Sequence, residues 1–367
     1  MPPPCTSDPR GSRPSPCHLS EVNRPTGAVA VSLHSWSCNA PLSKDRYDFP
    51  TPFRYSRRAP SGLSRCPPAP TARKEDERMH LLGRRTRFAS GITRKIWMRL
   101  LGEESWTERY GDFRQKERLG LIQRQSYAYG MLRAADVARY FGKKSATVIE
   151  FGVAAGAGLL NMTEIAPLIE EETDVELRIV GFDTGAGLPQ LRGFKDHPEL
   201  WSGGDFATGD REALLQKVDG KADIVWGNIE ETIAPFVRRL APTAPIGFIS
   251  VDVDVYSATK AALRCLAAPA ELLAPAVSMY FDDVGFFFAN EWCGELAAIR
   301  EFNDDHDLRK IDEDRSLPSA RPKRAEPWYR SMYVCHVLDH EFRNKPRARG
   351  ELTMTAHHEF MSSSHLY

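Results

Sequence analysis

The stretch ATVIEFGVAAGAGLL, residues 146–160, changes character halfway along. Ala146–Phe151 is apolar except for Glu150, with the length and composition of a strand covered on both faces. Gly152, Gly156 and Gly158 then crowd a short turn, and a helical pattern follows. Glycines in such a turn let the backbone approach a ligand closely, and the helix N-terminus behind them offers unpaired N–H groups. The spacing is E-x-G-x-x-x-G-x-G, not the G-x-G-x-x-G of dinucleotide-binding turns. An acid at the strand's end would repel a pyrophosphate. It suits a cationic or amino-acid-bearing cofactor instead.

Working outward, four further apolar runs repeat the strand-like half of this unit: Leu177–Phe182, Ala222–Trp226, Ile246–Val251 and Val277–Phe281. Helical patterns separate them, which predicts βαβ units and an open, doubly wound, mostly parallel sheet. Leu308–Ile311 and Ser331–Leu338 are expected to pair as closing strands, for seven in all. The helix after the fifth run carries Trp292, Leu296, Ile299 and Phe302 at helical spacing, with Glu295, Arg300 and Glu301 facing elsewhere. Before the first run, Gly111–Ala138 reads as helix, with Leu119, Leu121, Ile122, Tyr127 and Leu132 as its apolar contacts.

The 367 residues divide accordingly. Residues 1–78 are rich in Pro, Ser and Arg and hold no hydrophobic period, so disorder is expected there. This segment also resembles upstream sequence read in frame, with Met79 as the true start. Residues 79–140 read as a basic helical extension, 141–340 as the cofactor-binding domain and 341–367 as a flexible tail. The basic run Arg84–Leu101 suits a solvated helix face better than a membrane surface, and residues 84–140 offer an interface for a homo-oligomer. With 49 basic and 49 acidic residues, nothing points to a nucleic-acid partner. No stretch approaches the ~20 apolar residues of a membrane span. Seven cysteines without a CxxC or a signal peptide argue against a disulfide framework and for the cytoplasm.

The polar residues with chemistry to offer sit where the apolar runs stop. Asp183 follows the second run, either to hydrogen-bond ribose hydroxyls or to initiate a turn before Thr184-Gly185. Asn228 follows the third, facing the same crevice or N-capping the next helix. Asp252 and Asp254 follow the fourth, and Asp282 and Asp283 the fifth. Parallel strands one, four and five would bring these carboxylates together, where they repel one another unless a cation sits among them. Hard oxygen ligands at an open site fit Mg²⁺ or a similar divalent ion. The alternative is a set of N-caps and turn acids that happen to align.

Taken together, EFGVAAGAG, GFDTGAGLP, VDVDVYSATKAAL and YFDDV resemble the class I S-adenosylmethionine-dependent methyltransferases. Among these, the chain is most similar to the metal-dependent macrocin O-methyltransferase family, over about Tyr127 to Leu338. The resemblance implies a Rossmann-like methyltransferase fold and S-adenosylmethionine as cofactor. It places Glu150, Gly152 and Gly156 at the cofactor's methionine end and Asp183 on its ribose. It further implies that Asp252, Asp282 and Asp283 bind Mg²⁺, with Asp254 just beyond as a base or as a support for the ligands, and Tyr256, Ser257 and Thr259 orienting the loop and capping the following helix. Two departures stand out. Val255 occupies the position of a catalytic lysine in catechol O-methyltransferase relatives, and Ala276-Val277-Ser278 replaces a frequent glycine pair.

The implied reaction is transfer of a methyl group from a sulfonium to a hydroxyl of a small-molecule acceptor, a sugar or natural product. His197 and His306 are weaker candidates for the base. The acceptor is expected between the segments 185–209 and 312–328, with Trp201, Phe206, Phe286 and Trp328 as walls or as core. Two other readings remain: a nicotinamide-dependent oxidoreductase on a similar sheet, which leaves the strand-four and strand-five carboxylates unexplained, and a cofactor-binding protein without turnover.

Overall fold

In the computed structural model, residues 99–100, 102–317, 322 and 325–345 are described. The expectations for residues 1–78, for most of the basic stretch 84–101 and for the tail beyond Lys345 lie outside them.

Each apolar run forms a strand. These are β1 (Ser145–Phe151), β2 (Glu176–Asp183), β3 (Asp223–Trp226), β4 (Ile246–Val251) and β5 (Leu273–Phe281). The two closing segments form β6 (Arg309–Glu313) and β7 (Met332–Val337). The sheet has the order β3-β2-β1-β4-β5-β7-β6. Pairing is parallel from β3 to β5, whereas β7 runs antiparallel to both β5 and β6. The fold is therefore a seven-stranded, doubly wound, Rossmann-like sheet with one reversed strand.

Central position explains the composition. All residues of β1 and β4 are buried, while edge strand β3 is only partly covered. Helices α3 (Gln125–Tyr140), α4 (Ala157–Thr173) and α5 (Arg211–Val218) cover one face, packing Tyr127, Met131, Leu159, Met162 and Leu214. On the other face, α6 (Ile229–Val237), α7 (Tyr256–Leu263) and α8 (Gly294–Asp305) bring Ile233, Phe236, Leu263, Ile299 and Phe302. The rings of Phe151, Phe182 and Phe236, in tilted and edge-to-face contact with centroids 4.8 and 5.1 Å apart, run through this second layer. Each such buried ring contributes roughly 2–3 kcal/mol. A register shift between Ile246 and Phe248 lets Gly247 and Phe248 meet α3 at Ala134 and Gly130.

Three expectations change. The single helix over Gly111–Ala138 is instead α1 (Glu103–Tyr110), α2 (Phe113–Arg118) and α3. Gly120 and Arg124 adopt left-handed backbone, which interrupts the helical hydrogen bonds, and Asp112 starts α2 by accepting from Gln115 N at 2.8 Å. Trp292 precedes α8 and is 60% exposed, so it is not part of that helix's apolar stripe. Glu295, expected to face away, is buried, because the first turn of α8 packs under the end of β5. Its neighbour in the pattern, Glu301, does lie outward, accepting from Lys195, Lys260 and Tyr256. A short four-residue helix, α9 (Glu341–Asn344), closes the described chain.

Candidate active site

Strands β2, β1, β4 and β5 are neighbours in the sheet, so their carboxyl ends form one continuous edge. Hydrogen bonding continues past the strands. Gly152 N donates to Phe182 O at 2.9 Å, Asp252 N to Phe151 O at 2.9 Å and Asp282 N to Val251 O at 3.1 Å. The loops carrying the polar residues are thus anchored at their first residue. Gly152 has φ 91°, and a Cβ there would overlap the carbonyl oxygen of Asp252. This close approach of two backbones is what the first glycine of the turn serves. Gly156, at φ 88°, precedes α4, and Gly158 lies over the carboxylate of Glu150, where a Cβ would collide.

Glu150 points beneath the glycine turn. Its Oε1 accepts from the Tyr127 hydroxyl at 2.8 Å, and that hydroxyl accepts from Ser250 Oγ at 2.9 Å. Its Oε2 is buried without a partner among the described residues. Burial raises the Glu150 carboxyl to about 8, against the opposing pull of the Tyr127 hydrogen bond. The group is mostly neutral at pH 7 and becomes charged when a cation approaches.

Asp183 holds the neighbouring turn together. Its Oδ2 accepts from Ala154 N at 2.7 Å, and its Oδ1 from Gly185 N. It therefore makes the turn contact anticipated before Thr184-Gly185 and also pins the glycine turn of β1 to the end of β2. Asn228 N-caps α6, accepting from Glu230 N at 2.9 Å.

Asp252, Asp254 and Asp283 converge, each presenting a carboxylate oxygen within 4.8 Å of the others. Asp282 is not in this group. It is exposed and accepts from the Tyr280 hydroxyl, and its charge still acts on all three members of the group, in which Asp254 joins Asp252 and Asp283. Asp254 reaches the cluster through left-handed backbone, φ 60°, a conformation that aspartate tolerates better than most residues. Burial, then repulsion by neighbouring aspartates, pushes Asp252, Asp254 and Asp283 each up to about 7. Asp283 Oδ2 is buried with no partner among the described residues. Three crowded carboxylates at elevated pKa, one with an orphaned buried oxygen, form an oxygen-donor set that fits a divalent cation.

Glu295 is the residue that sequence reasoning missed. It is 1% exposed and accepts from Asp283 N at 2.9 Å, bracing the backbone of a cluster member. Burial, reinforced by Asp283, lifts its carboxyl well above the usual range. The helical wheel assigned it outward because only the end of β5 makes that face of α8 an inside face. Glu295→Ala strands the Asp283 amide and is expected to cost about 2 kcal/mol in urea unfolding. Glu295→Gln keeps an acceptor there and should cost well under half of that.

The other candidates separate clearly. Val255 is buried and precedes α7. No side chain of its own helix caps α7; Asp196 from the segment after β2 accepts from Ser257 N at 2.8 Å. Thr259 Oγ1 donates to Val255 O at 2.9 Å, and Tyr256 reaches Glu301. His197 is buried against Phe286, with Nδ1 at 2.7 Å from Glu199 and Nε2 without a partner among the described residues. His306 stacks on Phe302 beyond the C-terminus of α8, away from the carboxylates. Of the expected wall residues, Phe206 is exposed beside Trp201, and Trp328 donates from Nε1 to Gln125 at 2.9 Å.

No family profile matches the chain, and no curated protein matches it in sequence. Solved structures do align with it. Calicheamicin methyltransferase CalS11 is 18% identical, with a TM-score of 0.41, over 75% of this chain and 100% of that chain. The O-methyltransferase NovP is 15% identical, with a TM-score of 0.38, over 56% of this chain and 77% of that one. An O-methyltransferase from Bacillus cereus in complex with SAH is 11% identical, with a TM-score of 0.33, over 66% and 96%.

Proposed function

We propose that this protein is an S-adenosylmethionine-dependent O-methyltransferase that uses a divalent cation, Mg²⁺ or similar, on a small-molecule hydroxyl. The observation that carries the reading is the convergence of Asp252, Asp254 and Asp283 one strand away from the glycine turn. A dinucleotide reading leaves those carboxylates idle and puts Glu150 against a pyrophosphate. Its sheet order, 3-2-1-4-5-6, also lacks a reversed strand between the last two positions.

In this reading Gly152, Gly156 and Gly158 let the backbone approach the cofactor, and Glu150 faces its cationic end. Asp183 stands where open sheets meet a ribose, and Asn228 borders the same crevice while capping α6. Bound S-adenosylmethionine supplies the electrophilic methyl group. A divalent cation held by Asp252, Asp254 and Asp283 supplies charge stabilisation for an acceptor oxygen losing its proton. Asp254, a member of the same cluster, is the carboxylate proposed to receive that proton, through the oxygen it leaves free of the cation. Val255 provides no amine in its stead. Orientation by the flanking loops contributes through the entropy it removes from the encounter.

Two finer points belong to the same proposal. The resemblance to macrocin-type enzymes favours a sugar or natural-product hydroxyl as acceptor. The free thiols of Cys265, Cys293 and Cys335 suit a reducing compartment such as the cytoplasm.

Calorimetric titration distinguishes the readings. S-adenosylhomocysteine is expected to bind and NADH to give no heat; the reverse pattern overturns the proposal.

A further inference from the structure

The candidate site is crowded with carboxyl groups: Glu150, Asp183, Asp252, Asp254, Asp282 and Asp283 all lie along one sheet edge. S-adenosylmethionine ends in an amino acid, so its methionine end carries a carboxylate as well as an ammonium. The acids serve the ammonium and the sulfonium. The carboxylate needs a cation, or the same field expels it.

Arg124 is placed to be that cation. It stands at the N-terminal end of α3, in left-handed backbone at φ 50°, where the chain breaks out of helical geometry. This turn lays its guanidinium over the Tyr127 ring, 5.4 Å from the centroid. The Tyr127 hydroxyl bonds Glu150, and Glu150 sits under the glycine turn. Arg124 is exposed, and its side chain has no hydrogen bond or ion pair among the described residues. Its positive charge nonetheless reaches Glu150, lowering that carboxyl's pKa against the effect of burial. Through its hydroxyl, the ring beneath the guanidinium bonds both Glu150 of β1 and Ser250 of β4, so Arg124 lies over the junction of these two strands. Two further arginines near this edge, among the described residues, are already used: Arg211 donates to Thr184 O and covers the Trp226 ring at 4.6 Å, and Arg192 pairs with Glu230.

We infer that Arg124 receives the carboxylate of the cofactor's amino-acid end, docking the methionine moiety over β1 and β4 and leaving the adenosine toward β2 and β3. The inference rests on the methyltransferase reading. A guanidinium offers paired N–H donors matched to a carboxylate, and the Tyr127 ring beneath keeps its plane pre-set.

The test is calorimetry on the full chain in EDTA, so that the acidic cluster is metal-free. Three probes are used: S-adenosylhomocysteine, its decarboxylated analogue, and 5′-methylthioadenosine. Arg124→Asn suits the left-handed backbone and keeps the fold. It is expected to weaken S-adenosylhomocysteine ~10- to 100-fold, the range for a charged hydrogen bond, and to leave the other two probes unchanged. Arg124→Lys should restore part of the loss. Equal weakening of all three probes, or no weakening of any, overturns the inference while the cofactor reading stands. Failure of the unsubstituted protein to bind any probe removes both.

Discussion

Asp252→Ala is expected to lower methyl transfer by about a thousand-fold, the loss of several kcal/mol of charge stabilisation at the reacting oxygen. Excess EDTA should do the same to the unsubstituted protein, while S-adenosylhomocysteine binding persists in both. The argument is electrostatic. Asp252, Asp254 and Asp283 are each pushed up to about 7, because burial and mutual repulsion disfavour their charged forms. Removing Asp252 relieves Asp254, whose carboxyl should fall back toward the ordinary range. Among the described residues no hydrogen bond to the Asp252 side chain is lost, and its backbone contacts survive in alanine.

The sign of the stability effect follows. Carboxyls with raised folded pKa bind protons more tightly in the fold than in the unfolded chain, so stability declines as pH rises from about 4 toward 7. One fewer such group makes that decline smaller. In metal-free buffer at pH 8, Asp252→Ala should therefore melt no lower than the unsubstituted protein. A lower melting temperature would mean that activity was lost through the fold. Full activity of the unsubstituted protein in EDTA would remove the cation from the mechanism. Cation affinity should also climb with pH up to about 7, as the aspartates give up their protons.

Gly152→Ala is expected to be the most damaging methyl addition among the described glycines. At φ 91° an alanine is strained by about 1–3 kcal/mol even in open space. The space is closed, since the new Cβ overlaps the carbonyl oxygen of Asp252, and a carbonyl cannot swing away as a flexible side chain does. Separating the ends of β1 and β4 breaks the bond of Asp252 N to Phe151 O, and moving Gly152 to relieve the overlap strains its own bond to Phe182 O. Strain and lost bonds together give roughly 4 kcal/mol or more in urea unfolding. Gly204→Ala, also at positive φ but with nothing near its Cβ, isolates the backbone term and should cost about 1 kcal/mol. Equal costs at the two positions would refute the close-approach account.

Much of this architecture was legible from short-range pattern. Strand runs, the glycine turn and the acids after β4 and β5 are local features, since a strand buried on both faces must be apolar throughout. The pairing of the last two segments was legible too, although the reversed placement of β7 beside β5 was not. Local pattern failed where a neighbour decides. The helix over 111–138 broke because left-handed Gly120 and Arg124 outweigh apolar spacing. The N-cap reading of Asn228, by contrast, was legible in the sequence and holds, with Asn228 accepting from Glu230 N.

The sequence alone determined that carboxylates would meet on one sheet edge beside a glycine turn, because strand ends and the parallel order of βαβ units follow from local periodicity. Tertiary structure decided which carboxylates meet. The Tyr280 hydroxyl donates to Asp282 outside the group, the left-handed turn at Asp254 brings that residue in, and the packing of α8 under β5 buries Glu295 behind Asp283. Each of these depends on where a side chain points after the backbone turns, over distances of a few ångströms that residue spacing does not encode.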